Sequence, residues 1–210
     1  MNFLAHAYLA GPEVPDQLGG LLGDFVKGPL SRLLEGGLPE AVVAGVALHR
    51  RIDSFADAHP AFQRSRARLS GARRRYGGIV ADMAYDHFLA RFWGELAAPE
   101  AGLGSLEEFA AGAYALLADH GSLLPPRLAA ILPAMTADNW LVSYRELASV
   151  SYALDRMALR LSRPSGLSGA GAELAREYAG FESDFRAFLP DALAFAAAHR
   201  AGREPLPGAL

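Results

Sequence analysis

The chain has 210 residues and a mass of 22.3 kDa, with 51% apolar and 20% charged residues, so it buries a full core and is not disordered. Its net charge of −3 excludes a globally basic nucleic-acid binder, and its lack of cysteine excludes disulfides, thiolate zinc sites and thiol nucleophiles. The N-terminus has no basic region ahead of its short apolar stretch and no window approaches 18 uninterrupted apolar residues, so the expected protein is soluble and cytoplasmic, with no membrane partner.

Helical signals run through the chain in order. Ala, Leu, Arg and Glu fill long segments, Pro and Gly separate them, and no segment alternates at period two for the length of a strand. The pattern predicts helices over 15–26, 39–57, 60–70, 78–96, 105–119, 125–133, 143–161, 170–189 and 190–200. Start signals fall at Pro39-Glu40, at Ser105 three residues before Glu108, and at Pro190-Asp191. Breaks are expected at Gly36-Gly37, Gly77-Gly78, Pro99 to Gly104, Pro125-Pro126 and Ser162 to Gly171. The expected fold is a single compact all-α domain over 1–200, with 201–210 as a frayed tail.

Polar residues interrupt apolar faces at informative places. Val42, Val46, His49 and Asp53 share one face of the 39–57 helix, which starts apolar and ends in an imidazole and a carboxylate one turn apart. Ile79, Asp82, Asp86, Leu89 and Trp93 share a stripe of the 78–96 helix, with His87 beside the second acid. A third acid, Asp24, closes LGGLLGDFVKG among small residues that permit close backbone approach. Isolated buried carboxylates are costly and are neutralised or paired. Either Arg50, Arg51 or Arg91 pairs with them, or Asp24, His49, Asp53, Asp86 and His87 gather round a hard to borderline cation such as Mn²⁺ or Mg²⁺. His6 reads first as a satisfied core histidine and His59, before Pro60, as a cap. His120 and His199 end helices, and Phe88, Phe92, Trp93, Tyr144 and Tyr152 read mostly as core.

Charge is uneven. Residues 50–75 carry eight arginines (Arg50, Arg51, Arg64, Arg66, Arg68, Arg73, Arg74 and Arg75) against Asp53 and Asp57. This segment is either a solvated helix face or a docking surface for an anion. With little aromatic interleaving and no nucleic-acid motif, an acidic protein or a phosphorylated small molecule suits it better than RNA.

The strings MNFLAH (1–6), LLGDFVKG (21–28), HRRID (49–53), DMAYDHFL (82–89) and NWLVSYR (139–145) resemble the acyl carrier protein phosphodiesterases, relatives of the HD-domain phosphohydrolases. The resemblance implies an HD-like helical domain and a Mn²⁺-dependent hydrolase that removes 4′-phosphopantetheine from holo-acyl carrier protein. It implies metal positions at Asp24, His49, Asp53 and Asp86, catalytic roles for Asp24 and His87, Asp82 behind the ligands, and His6 as a further ligand in reserve. Arg50 and Arg51 would meet phosphate, and the other arginines the acidic carrier. The adjacent pair Asp86-His87 reverses the family's His-Asp order, and neighbouring helical side chains diverge by about 100°. Two alternatives are an HD-like phosphohydrolase of nucleotides or (p)ppGpp-type molecules, and a helical binding module without catalysis.

Overall fold

In this computed structural model, which describes residues 1–96, 102–161 and 165–202, the periodic segments form helices and, among the described residues, no strand. The helices are α1 (Phe3–Leu9), α2 (Val14–Leu22), α3 (Leu30–Glu35), α4 (Glu40–Ala58), α5 (Pro60–Ala67), α6 (Gly77–Arg91), α7 (Trp93–Leu96), α8 (Leu106–Asp119), α9 (Pro126–Ala137), α10 (Trp140–Ser143), α11 (Leu147–Ala158), α12 (Ala170–Arg176) and α13 (Tyr178–Ala201). The all-α class is as expected. None of these helices is long and apolar enough to cross a membrane. The expected break at 99–101, the start of the 162–171 break (162–164) and the tail beyond Gly202 lie outside the described residues.

Local chemistry explains most boundaries. Ser105 Oγ accepts from the Glu108 amide at 3.1 Å while Glu108 Oε2 accepts from the Ser105 amide at 2.7 Å, a reciprocal cap that starts α8. Pro60 forces His59 into extended backbone, which ends α4, and His59 Nδ1 then accepts from the Ala61 amide at 3.2 Å to cap α5. Pro190 does not start a new helix. It lies exposed inside α13, whose opposite face buries Phe181, Phe185, Phe188 and Ala192, and that packing carries the helix past the missing N–H. Helices α1 and α3, of seven and six residues, were not expected; both are too short for a periodic signal.

Helix α6 is the axis of the fold. Val80, Ala81, Met83, Ala84, Tyr85, Phe88, Leu89 and Ala90 are all buried, so it is apolar on nearly every side, with α1, α5, α11, α12 and α13 packed around it. Tyr152, expected in the core, is instead 67% exposed on α11. On the other side, α2 crosses α4 at very close range. A methyl group at Gly19 would overlap the Gly45 backbone, and one at Gly45 would stand 2.6 Å from the Pro15 carbonyl oxygen. Gly45→Ala therefore forces the pair apart. We expect a loss of about 1–3 kcal/mol in urea unfolding, or roughly 2–4 °C of Tm per kcal/mol for a chain of this size. An unchanged Tm would mean that the crossing is not under this steric limit.

Candidate metal centre

Four short stretches meet at one end of the α2–α4 crossing. Helix α1 supplies His6, the turn after α2 supplies Asp24, α4 supplies His49 and Asp53, and α6 supplies Asp82. His49 is buried, and its Nδ1 lies 2.9 Å from the Gly20 carbonyl oxygen. A carbonyl only accepts, so Nδ1 carries the proton and Nε2 is turned towards the acids. From Nε2, Asp53 Oδ2 is 3.3 Å away and Asp24 Oδ1 is 3.6 Å away.

His6 is 1% exposed and stacks on His49 with ring centroids 3.6 Å apart. Its Nε2 lies 3.1 Å from Asp53 Oδ1, yet that oxygen is off the hydrogen-bonding direction of the ring, and neither His6 nitrogen has a hydrogen-bond partner. The sequence pointed to a satisfied core histidine; the fold leaves it buried and unsatisfied, which is costly unless something else binds it. Among the described residues, His6, His49 and Asp53 each offer a ligand atom, all within 4.8 Å of one another. Two imidazole nitrogens and a carboxylate, with an orphaned nitrogen among them, fit a borderline divalent cation. The Met1 ammonium stands on the other side of Asp53, 3.0 Å from Oδ1, and 2.8 Å from Asp82 Oδ1.

The electrostatics separate the two rings. Burial and the neighbouring His49 charge depress His6 to about 4, leaving it neutral with a free lone pair. Burial would also depress His49, but the carboxylates of Asp24 and Asp53 outweigh it and raise the ring to about 9. Burial would push Asp53 up; the imidazoles of His49 and His6 and the Met1 ammonium hold it well below the carboxylate range. Asp24 likewise stays low because His49 outweighs its burial.

Asp86 and His87 are not brought to this cluster. Asp86 is completely buried, and its two oxygens accept from the amides of Leu4 and Ala5 at 2.9 and 3.0 Å, satisfying the open end of α1. His87 points elsewhere, its Nδ1 donating to the Tyr144 carbonyl at 2.8 Å and its Nε2 accepting from the Tyr178 hydroxyl at 2.9 Å. The two point in different directions, as their adjacency on a helix requires.

The profile of the acyl carrier protein phosphodiesterases matches residues 1–192. The chain belongs to that family. A Serratia proteamaculans protein named acyl carrier protein phosphodiesterase is 38% identical over 190 residues, 90% of this chain and 94% of that protein. Proteins of the same name from Photorhabdus laumondii (35% identical; 90% and 92% covered) and Yersinia pestis (34%; 90% and 94%) are similar over the same length. No solved structure matches.

In this member of the acyl carrier protein phosphodiesterases four of the eight arginines of the basic segment pair with carboxylates of the chain itself. Arg64 and Arg68 each place Nε 2.8 Å from a carboxylate oxygen of the buried Asp184. Arg73 pairs with Glu173 at 2.9 Å and Arg66 with Asp57 at 3.1 Å. Arg50 donates to the carbonyls of Gly28 (2.8 Å) and Val26 (3.4 Å). Arg51, Arg74 and Arg75 are exposed.

Asp86 supplies a test of this geometry. Burial raises its pKa to about 7 despite the two amide bonds, so ionising it opposes folding. The contribution is absent at about pH 4 and grows until about pH 7, so wild-type stability falls across that window. Asp86→Asn keeps one acceptor and loses the other, at a cost of about 1–2 kcal/mol at pH 5. By urea unfolding, the deficit of the variant narrows at pH 8, and its uptake of Mn²⁺ stays at the wild-type level. A deficit that widens with pH, or lost Mn²⁺ uptake, contradicts this account.

Proposed function

We propose that the chain hydrolyses the phosphodiester between the serine of an acyl carrier protein and 4′-phosphopantetheine, using a divalent cation held by His6, His49 and Asp53. The products are apo-carrier and free 4′-phosphopantetheine, and Mn²⁺ suits the donor set first, with Mg²⁺ the alternative. The observation that carries this reading is His6: a buried, neutral imidazole without a hydrogen-bond partner, stacked on a second imidazole with its Nε2 3.1 Å from the carboxylate they share. Membership of the phosphodiesterase family supports it independently.

A bound divalent cation supplies Lewis acidity, polarising a phosphoryl oxygen and lowering the pKa of a ligated water. The residues do the rest. The Gly20 carbonyl holds the His49 ring in one tautomer and one orientation. Asp53 turns one oxygen to each ring, Oδ1 3.1 Å from His6 Nε2 and Oδ2 3.3 Å from His49 Nε2. Asp24, half exposed and held ionised, faces the open side, where it would orient the attacking water, take its proton and return that proton to the departing serine oxygen. An acidic carrier approaches over exposed Arg51, Arg74 and Arg75, where charge complementarity acts mainly on the rate of association.

Two measurements test this reading. Intact-mass analysis of holo-carrier incubated with the protein and Mn²⁺ should record loss of the prosthetic group, abolished by chelator and reduced at least ~100-fold by His49→Ala or Asp53→Ala. Nucleotides offered under the same conditions should be left intact; their turnover without carrier turnover overturns the assignment. Calorimetric titration with Mn²⁺ should show affinity rising about tenfold per pH unit between pH 6 and 8, because His49, at about 9, must release one proton for its Nε2 to bind. Affinity independent of pH would remove His49 from the ligands.

A further inference from the structure

An open cleft of about 280 Å³ adjoins the cluster, and Asp24, Lys27, Gly28, His49, Arg50 and Asp53 line it. One wall is the turn between α2 and α3, and its course is well determined. Phe25 donates its amide to the Leu22 carbonyl at 2.9 Å and stacks on Phe3, with ring centroids 5.8 Å apart. Val26 is buried against Leu33, Val43 and Val46. Gly28 takes φ +92°, a conformation that other residues rarely adopt. From across the cleft the Arg50 guanidinium donates to the carbonyls on either side of Lys27, those of Val26 and Gly28. Lys27 thus sits at the crest of a turn fastened before and after it, exposed and lining the same cleft as Asp24, His49 and Asp53. It is the one lysine of the chain, and among the described residues it has no ion pair or hydrogen bond.

We infer that Lys27 is the residue that receives the phosphate of the substrate, and that Arg50 is a positioning residue that braces the turn beneath it. The inference rests on the phosphodiesterase reading and names the substrate contact within it. The cluster side of the cleft is acidic, lined by Asp24 and Asp53, and a phosphodiester anion entering it needs a positive group facing them. An ammonium on a flexible stem serves as a point charge for a phosphate oxygen. Arg50 lines the cleft but has two of its N–H groups on carbonyls, so the expectation that it clamps phosphate gives way to one in which it acts through the turn. Arg51 is exposed on the neighbouring face of α4 and is not among the residues lining the cleft.

The test uses the full-length protein with Mn²⁺ and two substrates, holo-carrier and the small diester bis(p-nitrophenyl) phosphate. Lys27→Ala should lower kcat/KM on both about 10- to 100-fold, the range set by losing one charged contact to a phosphate, and weaken inhibition by inorganic phosphate similarly. Lys27→Arg should recover most of the loss, while Tm and calorimetric Mn²⁺ affinity stay at wild-type values in both variants. Arg50→Ala should reduce kcat/KM in the wild-type background but add little to Lys27→Ala, because its effect runs through that residue. Reversal of Arg74 and Arg75 to Glu, the carrier-docking control, should impair holo-carrier alone. Wild-type activity on holo-carrier establishes the underlying reading; with that in hand, undiminished turnover of both substrates by Lys27→Ala overturns the role of Lys27. Full additivity of the two losses overturns the role of Arg50. A wild-type protein inactive on holo-carrier sinks the phosphodiesterase reading instead, and the phosphate inhibition of the small-diester reaction then judges Lys27 alone.

Discussion

The backbone contact between α2 and α4 governs the site. With no side chain at Gly19 or Gly45, the two helices approach until main chain touches main chain, and the Gly20 carbonyl comes within 2.9 Å of His49 Nδ1. That single hydrogen bond fixes which nitrogen of His49 carries its proton and where the other one points. The same approach places the end of α2, and therefore Asp24 and Lys27, along the flank of α4 that carries His49, Arg50 and Asp53. A larger residue at the crossing would tilt α2 away and alter all of these relations together, because interiors packed at crystal-like density do not yield gradually.

The fold must also accommodate several buried or half-buried acids, and it does so in different ways. Asp184 has two arginines and the Ser65 hydroxyl. Glu173 has the amide and hydroxyl of Ser70 and the guanidinium of Arg73. Asp86 has two amides at the start of α1. In each case the partners are complete, and the arrangement is structural. The cluster at Asp53 differs because one of its members, His6, is without a hydrogen-bond partner on either ring nitrogen. Among the described residues the other buried side-chain atoms left open are Arg73 Nε, on a guanidinium already paired with Glu173, and Ser165 Oγ, so His6 is the one ionisable group whose polar atoms are all left open, and that points to function.

The legibility of these features in the sequence follows the same division. The face Val42, Val46, His49, Asp53 could be read because both polar members lie on one long helix, whose period relates them directly. Asp24 was visible through its glycine-rich surroundings. The residue pattern alone does not assign His6 to the cluster, and the family resemblance holds it only as a ligand in reserve. Its helix has seven residues and no side-chain cap, and its relation to His49 is set by tertiary packing across 43 positions. For Asp86 the sequence suggested guanidinium or a cation, the two partners that charge alone brings to mind. The backbone amides of a distant short helix are a third, and no residue pattern announces them. The arginine-rich run reads as a surface, but the acids that pair with three of its eight arginines, Asp184 and Glu173, come 100 to 120 residues later.

That internal neutralisation changes what the arginines can do. Arg66 and Arg73 are matched one to one by Asp57 and Glu173, and Arg64 and Arg68 share Asp184 with one positive charge left over, whereas Arg51, Arg74 and Arg75 are exposed with no ion pair among the described residues. Arg74 and Arg75 lie in the turn that precedes α6, and Ile79 is exposed in the first turn of that helix. The exposed cations thus stand apart from a cleft lined by Asp24 and Asp53. On the reading proposed above, an acidic partner whose anionic surface and reactive phosphodiester lie some distance apart suits this layout: its surface would meet the arginines while its phosphate would reach past the acids. A small nucleotide has no such separation and would meet the acids without the compensating contact, which is how the layout of charge supports that proposal.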